Sequence, residues 1–411
     1  MSLEAEPAGR WTLLALLSLA VLLTLSTWFS GSAVAPSLAR EWGIDRVGVA
    51  SLTVAVQVGF AVSALGLAAV GAPDVLPPRG LIAGGALVAA LANLGFALLA
   101  TDLATALPFR FLTGAGIAAV YPVGMKVVAT WFRGRRGLAV GTLIGAITIG
   151  SALPHLLRAG GTGLAVDWRA VVLAASACAA LGALIAALIV RDGPFATPAS
   201  RFTPSVARAA LRRQSVRLAN LGYLGHMWEL YAMWSWIPVF LAASLVARGV
   251  TDPGFASLSA FAVVAAGGIG CVAAGALADR WGRTTLTVIA MALSGSSAIV
   301  TGLLFGAAPA LVIAVAVLWG MTVIADSAQF STAVSELAPP GTAGSALALQ
   351  TAAGFLLTGA TIYAVSLLDA GNAGGWRLAF ALLALGPAVG IIAMLRLRGL
   401  PEAKLMASGN R

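Results

Sequence analysis

Twelve apolar runs, each long enough to cross a bilayer, recur along this chain, separated by clusters of arginine, proline, glycine and aspartate. A membrane-spanning helix needs about 20 apolar residues. The runs predict helices at 12–36, 48–70, 80–100, 105–130, 137–158, 168–190, 217–243, 254–276, 284–306, 309–333, 344–368 and 376–396. The first run, Trp11 to Ala35, is too long for a signal-peptide core and is read as a helix that stays attached. Between the sixth and seventh runs lies the longest polar segment, Arg191 to Gln214, which carries Pro194, Pro198 and Pro204. The expected organisation is therefore an all-α membrane protein: six helices in residues 1–190, a linker over 191–216, and six more in 217–411.

Composition excludes the soluble alternatives. Sixty per cent of the 411 residues are hydrophobic and only 10% are charged, whereas a soluble domain carries about 25% charged residues. The net charge of +10 reports topology and not nucleic acid, because the basic residues cluster on one side of the spans. With the N-terminus inside, the cytoplasm receives Arg133, Arg135, Arg136, the linker arginines, Arg280 and Arg283, and few basic residues fall outside. By the positive-inside bias both termini and the linker are cytoplasmic, in a plasma membrane that is expected to be a bacterial inner membrane. Val206 to Gln214 is expected to form a short basic helix on the anionic leaflet. Cys178 and Cys271 lie inside apolar runs and read as packing residues. The chain has two histidines, far apart, and no acidic metal motif in any loop. No cofactor, metal or catalytic constellation is therefore expected, and an enzyme is disfavoured.

The two halves resemble each other. Asp167-Trp-Arg169 opens the sixth run and Gly375-Trp-Arg377 the twelfth; Gly137-Leu-Ala139 opens the fifth and Gly344-Ser-Ala346 the eleventh; Asp74 and Asp279 follow the second and eighth. Landmarks repeating at nearly one offset imply a six-plus-six duplication, hence two pseudo-symmetric six-helix bundles of the kind found in secondary transporters.

The segment Gly275-Ala-Leu-Ala-Asp-Arg-Trp-Gly-Arg283 resembles the loop signature of the major facilitator superfamily. Gly275 and Gly282 permit a tight turn, while Asp279, Arg280 and Arg283 supply ion pairs or meet helix ends. The matching first-half loop, Gly71 to Arg79, keeps Asp74 but has lost most basic positions. Arg110-Phe-Leu-Thr-Gly114 and Trp131-Phe-Arg-Gly-Arg-Arg-Gly137 are similar to further family signatures. The glycine and proline pattern of drug/proton antiporters is only partly met around Pro154-His155, and the nitrate-carrier signature is absent. The resemblance implies that the first, fourth, seventh and tenth spans line a central cavity that alternates between the two membrane faces.

Ionisable residues inside spans agree with that expectation: Arg110, Tyr121 and Lys126 in the fourth, His226 and Glu229 in the seventh, Asp326 in the tenth. Such residues are costly in a bilayer and mark function by default. His226, Glu229, Met233 and Trp236 share one helical face, as do Thr322, Asp326 and Gln329. Arg110, Gly114, Ile117 and Tyr121 share another, with Lys126 opposite unless Pro122 kinks the helix. The expected substrate ligands are Trp28, Arg110, Tyr121, Lys126, Trp228, Tyr231, Trp234 and Gln329. The expected proton carriers are His226, Glu229 and Asp326, and the expected gating loop comprises Asp74, Gly275, Asp279, Arg280, Gly282 and Arg283. Each has a second reading. Arg110 can lock spans through carbonyls, Lys126 can snorkel to the interface, the tryptophans can be interfacial anchors, and His226 and Glu229 can bond each other to hold the seventh span. His155 reads as structural. The leading expectation is a monomeric secondary transporter of a small anion, driven by protons; the alternative is efflux of cationic or amphipathic drugs, with the aromatic residues offering cation–π surface.

Overall fold

The computed structural model of the chain describes residues 7–133, 135–160, 167–195, 203–339, 341–368 and 371–410. Among them are twelve helices long and apolar enough to cross a membrane. Spans 1 to 6 are Arg10–Trp42, Arg46–Ala69, Pro78–Leu99, Leu103–Trp131, Arg136–Gly160 and Trp168–Ile189. Spans 7 to 12 are Gln214–Ala247, Pro253–Ala278, Arg283–Leu303, Pro309–Leu337, Ala343–Leu367 and Ala373–Arg398. Several run a few residues past the apolar runs, because a helix continues through its polar end turns. The even count puts both termini and the linker at one end of the molecule, here the linker face; the other end is the distal face.

Side-chain helix caps gather at the distal face. Five spans that start at the distal face carry a side-chain N-cap: Asp45 accepts from the Gly48 amide, Asp102 from Thr105, Asp167 from Arg169, Asp252 from Gly254 and Asn372 from Gly375. Such a cap satisfies an otherwise orphaned amide and stabilises by about 1 kcal/mol. Spans 3, 7, 9 and 11 start at the linker face without a side-chain cap.

The duplication is visible in the packing. Span 6 lies on spans 1 and 3 as span 12 lies on spans 7 and 9, and span 4 lies on spans 2 and 3 as span 10 lies on spans 8 and 9. The paired Trp-Arg landmarks open spans 6 and 12. Trp168 sits edge-on to Trp42 at 5.6 Å, and Trp376 sits edge-on to Phe240 at 5.3 Å. Between the halves, span 2 packs on span 11 and span 5 on span 8. Toward the linker face, spans 5 and 8 meet through small residues. A Cβ on Gly141 would stand 2.6 Å from the Cys271 carbonyl, and one on Gly275 would stand 2.4 Å from that of Gly137. Backbones can approach this closely only where side chains are missing.

Spans 1, 4 and 10 are interrupted near their middles. Span 1 breaks between Leu25 and Ser30, span 4 at Ala119–Val120, and span 10 between Val323 and Ser327. Each break is a tight turn whose amides bond three residues back, as in Trp28 to Leu25, Val120 to Ile117 and Ser327 to Ile324; such turns shift the helical phase. In span 1 the hydroxyls of Ser26, Thr27 and Ser30 also bond carbonyls three residues back, which bends helices. The kink expected near Pro122 falls just before it, with Pro122 in the first turn of the second half-helix. The linker forms a helix over Pro204–Leu211 that contacts span 11.

The glycine contact makes a prediction. Gly275→Val should push spans 5 and 8 apart, so a membrane-impermeant maleimide should label buried Cys271 faster in a Cys178→Ala background. An unchanged labelling rate would show that this contact does not close the linker face.

Candidate functional site

The break in span 1 frees backbone carbonyls in the middle of the molecule, and Arg110 of span 4 takes them up. Its guanidinium is fully buried. Nη1 donates to the Thr27 carbonyl at 3.1 Å, to Ser30 Oγ at 3.0 Å and to Asn93 Oδ1 at 3.1 Å. Nη2 donates to the Trp28 carbonyl and Nε to the Leu52 carbonyl at 3.3 Å. Gly31 leaves the room, since a Cβ there would stand 3.3 Å from Nε. Asn93 passes the network on, donating to the Val172 carbonyl and to Ser176 Oγ at 3.0 Å each. One cation thus joins spans 1, 2, 3, 4 and 6. A positive charge at the C-terminal end of a half-helix also meets the negative end of its dipole.

Lys126 projects toward the linker face instead of the centre. Nζ donates to Asp74 Oδ1 at 2.6 Å and to the Pro73 carbonyl. The second half carries a pair of opposite polarity: Arg283 at the start of span 9 donates to Gln329 Oε1 at 2.9 Å and to Glu336 Oε1 at 3.2 Å, both on span 10. In the first half an acid of the loop meets a base of the span, and in the second a base meets an acid. Gly282 joins spans 8 and 9 at φ 85°, a conformation that favours glycine. Arg280 is exposed. The Asp279 side chain lies outside the described residues.

His226 and Glu229, neighbours on span 7, do not bond each other. His226 Nδ1 lies 2.9 Å from Asp326 Oδ1, with both side chains buried. Asp326 occupies the break in span 10, immediately before the second half-helix, whose N-terminal end favours a negative charge. Glu229 is held from both sides: Oε1 accepts from Trp319 Nε1 at 2.7 Å and Oε2 from Ser294 Oγ at 2.9 Å.

The centre between the halves is aromatic. Trp28 stacks on Tyr231 at 5.5 Å and lies against Phe60 and Phe355. Phe29 stands edge-on to Trp234 at 5.7 Å, and Phe60 lies 4.2 Å from Phe355. These rings form a partition joining spans 1, 2, 7 and 11. On its linker side a gap of about 20 Å³ is lined by Tyr121, Tyr223, Met227, Ile324 and Ser327, among others. A much larger cavity, about 720 Å³, opens at the distal end between spans 1, 5 and 6 of the first half and spans 7 and 8 of the second. Its charged and titratable lining comprises Arg40, His155, Arg158 and Asp252.

The structure therefore gathers four of the expected ligands, Trp28, Tyr121, Tyr231 and Trp234, in or beside the central partition. It places the other four elsewhere, for reasons each contact explains. Arg110 is bound to protein acceptors, Lys126 to Asp74, and Gln329 to Arg283, while Trp228 donates to the Leu382 carbonyl at 2.9 Å on span 12. Sequence reasoning missed Asn93, a lone amide in an apolar run, and it missed the distal charges Arg40 and Arg158, which had counted only toward topology.

A family model of the Major Facilitator Superfamily matches residues 16–362. The chain belongs to that superfamily. It is accordingly a transporter of small solutes that works by alternating access, and not an enzyme. No curated protein sequence matches the chain. Among solved structures, it is similar to a bacterial homolog of the human lysosomal transporter Spinster in an inward-facing, unoccupied conformation. That likeness has a TM-score of 0.73 at 14% identity, over 97% of this chain and 100% of that one. It is also similar to a D-xylose-proton symporter, at TM-score 0.72 and 17% identity over 96% of this chain and 99% of that one. The xylose transporter XylE from E. coli, partially occluded and inward open, gives a TM-score of 0.72 at 14% identity over 96% and 100% of the two chains. At these identities the likeness is one of fold.

Substitutions at two positions separate scaffold from gate. Arg110→Ala strands the carbonyls and hydroxyls around it; each buried acceptor left without a donor costs about 1–3 kcal/mol, so the melting temperature should fall sharply. Arg110→Lys should rescue little, since one ammonium cannot span acceptors on three elements. Lys126→Ala, removing a partly exposed pair worth about 0–1 kcal/mol, should leave thermal stability nearly unchanged while altering turnover. A stable Arg110→Ala protein would remove the scaffold reading.

Proposed function

We propose that the protein carries a small anionic solute across the membrane together with protons. The observation that carries the reading is the charge balance of the 720 Å³ cavity: Arg40 and Arg158 line it, with the imidazole of His155 between the spans, against the single acid Asp252, whose carboxylate already caps the Gly254 amide. With the termini and linker cytoplasmic, as the basic residues favour, this cavity faces outward. The close contact of spans 5 and 8 then bars the cytoplasmic side, so the conformation is one that receives solute from outside.

The proton site in this proposal is Asp326 with His226. Asp326 stands at a break in span 10, where the flanking Ile324 and Ser327 line the small central gap, so a modest movement exposes it. Its partner is the buried imidazole of His226, whose Nδ1 lies 2.9 Å from the carboxylate. Glu229 is the weaker candidate, because both of its carboxylate oxygens are engaged by Trp319 and Ser294. The Lys126–Asp74 and Arg283–Glu336 pairs each lie within one half at the linker face, where they fix the shape that half presents to the other.

Two experiments test this. Right-side-out vesicles should accumulate labelled organic anions under an inward proton gradient; gradient-driven extrusion of organic cations instead would favour the drug-efflux reading. Asp326→Asn should keep exchange of labelled for unlabelled substrate but lose accumulation driven by the pH gradient, with Glu229→Gln retaining much of it. If Asp326→Asn still concentrates substrate in response to pH, the proton site lies elsewhere.

A further inference from the structure

The distal cavity has two unlike walls. On the first-half side stand the basic groups. Arg40 is exposed near the end of span 1, with no hydrogen-bond or ion-pair partner among the described residues. His155 is buried on span 5 and lines the space, likewise without such a partner. Arg158 follows one turn later and donates to the Ala33 carbonyl. All three side chains line the same space, so they present one polar face to it. On the second-half side, Pro238, Val239, Ala242 and Val246 at the distal end of span 7 offer hydrocarbon, while the polar groups of that side, Thr251, Asp252 and Ser257, belong to the following loop and the start of span 8.

Bare inorganic anions suit such a site poorly, because the span 7 surface gives them nothing in exchange for their water and Asp252 repels them. A ligand with an anionic head and a short apolar tail satisfies both walls at once. Resting on the anion reading above, we propose that the cavity is a recognition site for small amphipathic monoanions, a carboxylate or sulfonate carrying a hydrocarbon chain. The head lies against Arg40, His155 and Arg158, and the tail against span 7. The volume is within the range of small-molecule sites. Because head and tail contact different halves, the ligand bridges the interface that must close over it, and its binding energy favours the closing movement directly. A ligand held by one half alone would exert no such pull.

The test uses the full chain in lipid nanodiscs, with Cys178→Ala and Cys271→Ala as background and Ala242→Cys as reporter inside the cavity. The probes are n-alkanesulfonates from ethane- to hexanesulfonate, which stay charged at all working pH values. Sulfate serves as the bare anion and alkyltrimethylammonium ions of the same lengths as cations. Protection of the reporter from a thiol reagent gives half-protection concentrations. For the sulfonates these should fall by up to about fourfold per added methylene, the factor for burying one CH2 group. Arg40→Gln should raise them at least tenfold while leaving the labelling rate without probe unchanged, and Arg40→Lys should restore most of the loss. Strong protection by sulfate with no chain-length trend would overturn the amphipathic proposal and leave anion transport standing. Better protection by the ammonium ions would overturn both, and sulfonate protection indifferent to Arg40→Gln would overturn the assigned head-group site.

Discussion

A helix cannot be interrupted inside a bilayer unless something satisfies the backbone groups it gives up. In span 1 that something is Arg110, whose guanidinium takes the Thr27 and Trp28 carbonyls together with Ser30, Asn93 and the Leu52 carbonyl. The interruption sets Trp28 and Phe29 against Tyr231 and Trp234 of the other half, and so builds the central partition. Without the buried cation, the turn at residues 26–29 would strand polar groups in an apolar interior, at several kcal/mol for each group left unsatisfied. The partition would lose its first-half wall.

The second half handles its interruption differently. Span 10 breaks at Asp326, an anion placed before the start of a half-helix and paired with His226 rather than with a set of carbonyls. A guanidinium bound to five neutral acceptors ties the elements of its bundle together. The carboxylate of Asp326 instead meets one imidazole next to a small gap. The two halves share an architecture by duplication, yet the buried charge in the first is suited to rigidity and the one in the second is less tightly held. In the proposed proton-coupled cycle, that asymmetry lets one bundle respond to the ion while the other keeps its shape.

Much of the architecture was legible in the sequence. Twelve apolar runs fixed the spans to within several residues, and the repeated Trp-Arg and Gly-x-Ala landmarks announced packing that recurs in the two halves. The breaks in spans 1 and 10 were not legible, because neither contains a proline or a glycine pair; hydroxyl and carboxylate groups at Ser26, Thr27 and Asp326 mark them only in hindsight. The site was legible in part. Helical spacing grouped His226 with Glu229, but spacing says which side of a helix a residue is on and not which neighbour it meets, and the neighbours proved to be Asp326 for one and Trp319 with Ser294 for the other. Arg110 and Lys126 looked like substrate ligands because a charge in a span demands a partner; the partners were carbonyls and Asp74, supplied by loops and spans distant in sequence. Arg40 and Arg158 were hidden by the opposite fault, since charges near span ends are ordinarily read as topology.

In the proposed cycle the molecule is open at the distal cavity, shut where spans 5 and 8 meet near the linker face, and divided by an aromatic wall that must rearrange as solute passes. Spin-label distances in nanodiscs test it most directly, with one pair at Pro36 and Val246 across the distal cavity and another at Arg136 and Arg280 across the linker face. Adding an organic anion at low pH should shorten the first distance and lengthen the second, in the same concentration range. Two distances that stay fixed, or that move in the same sense, would contradict it.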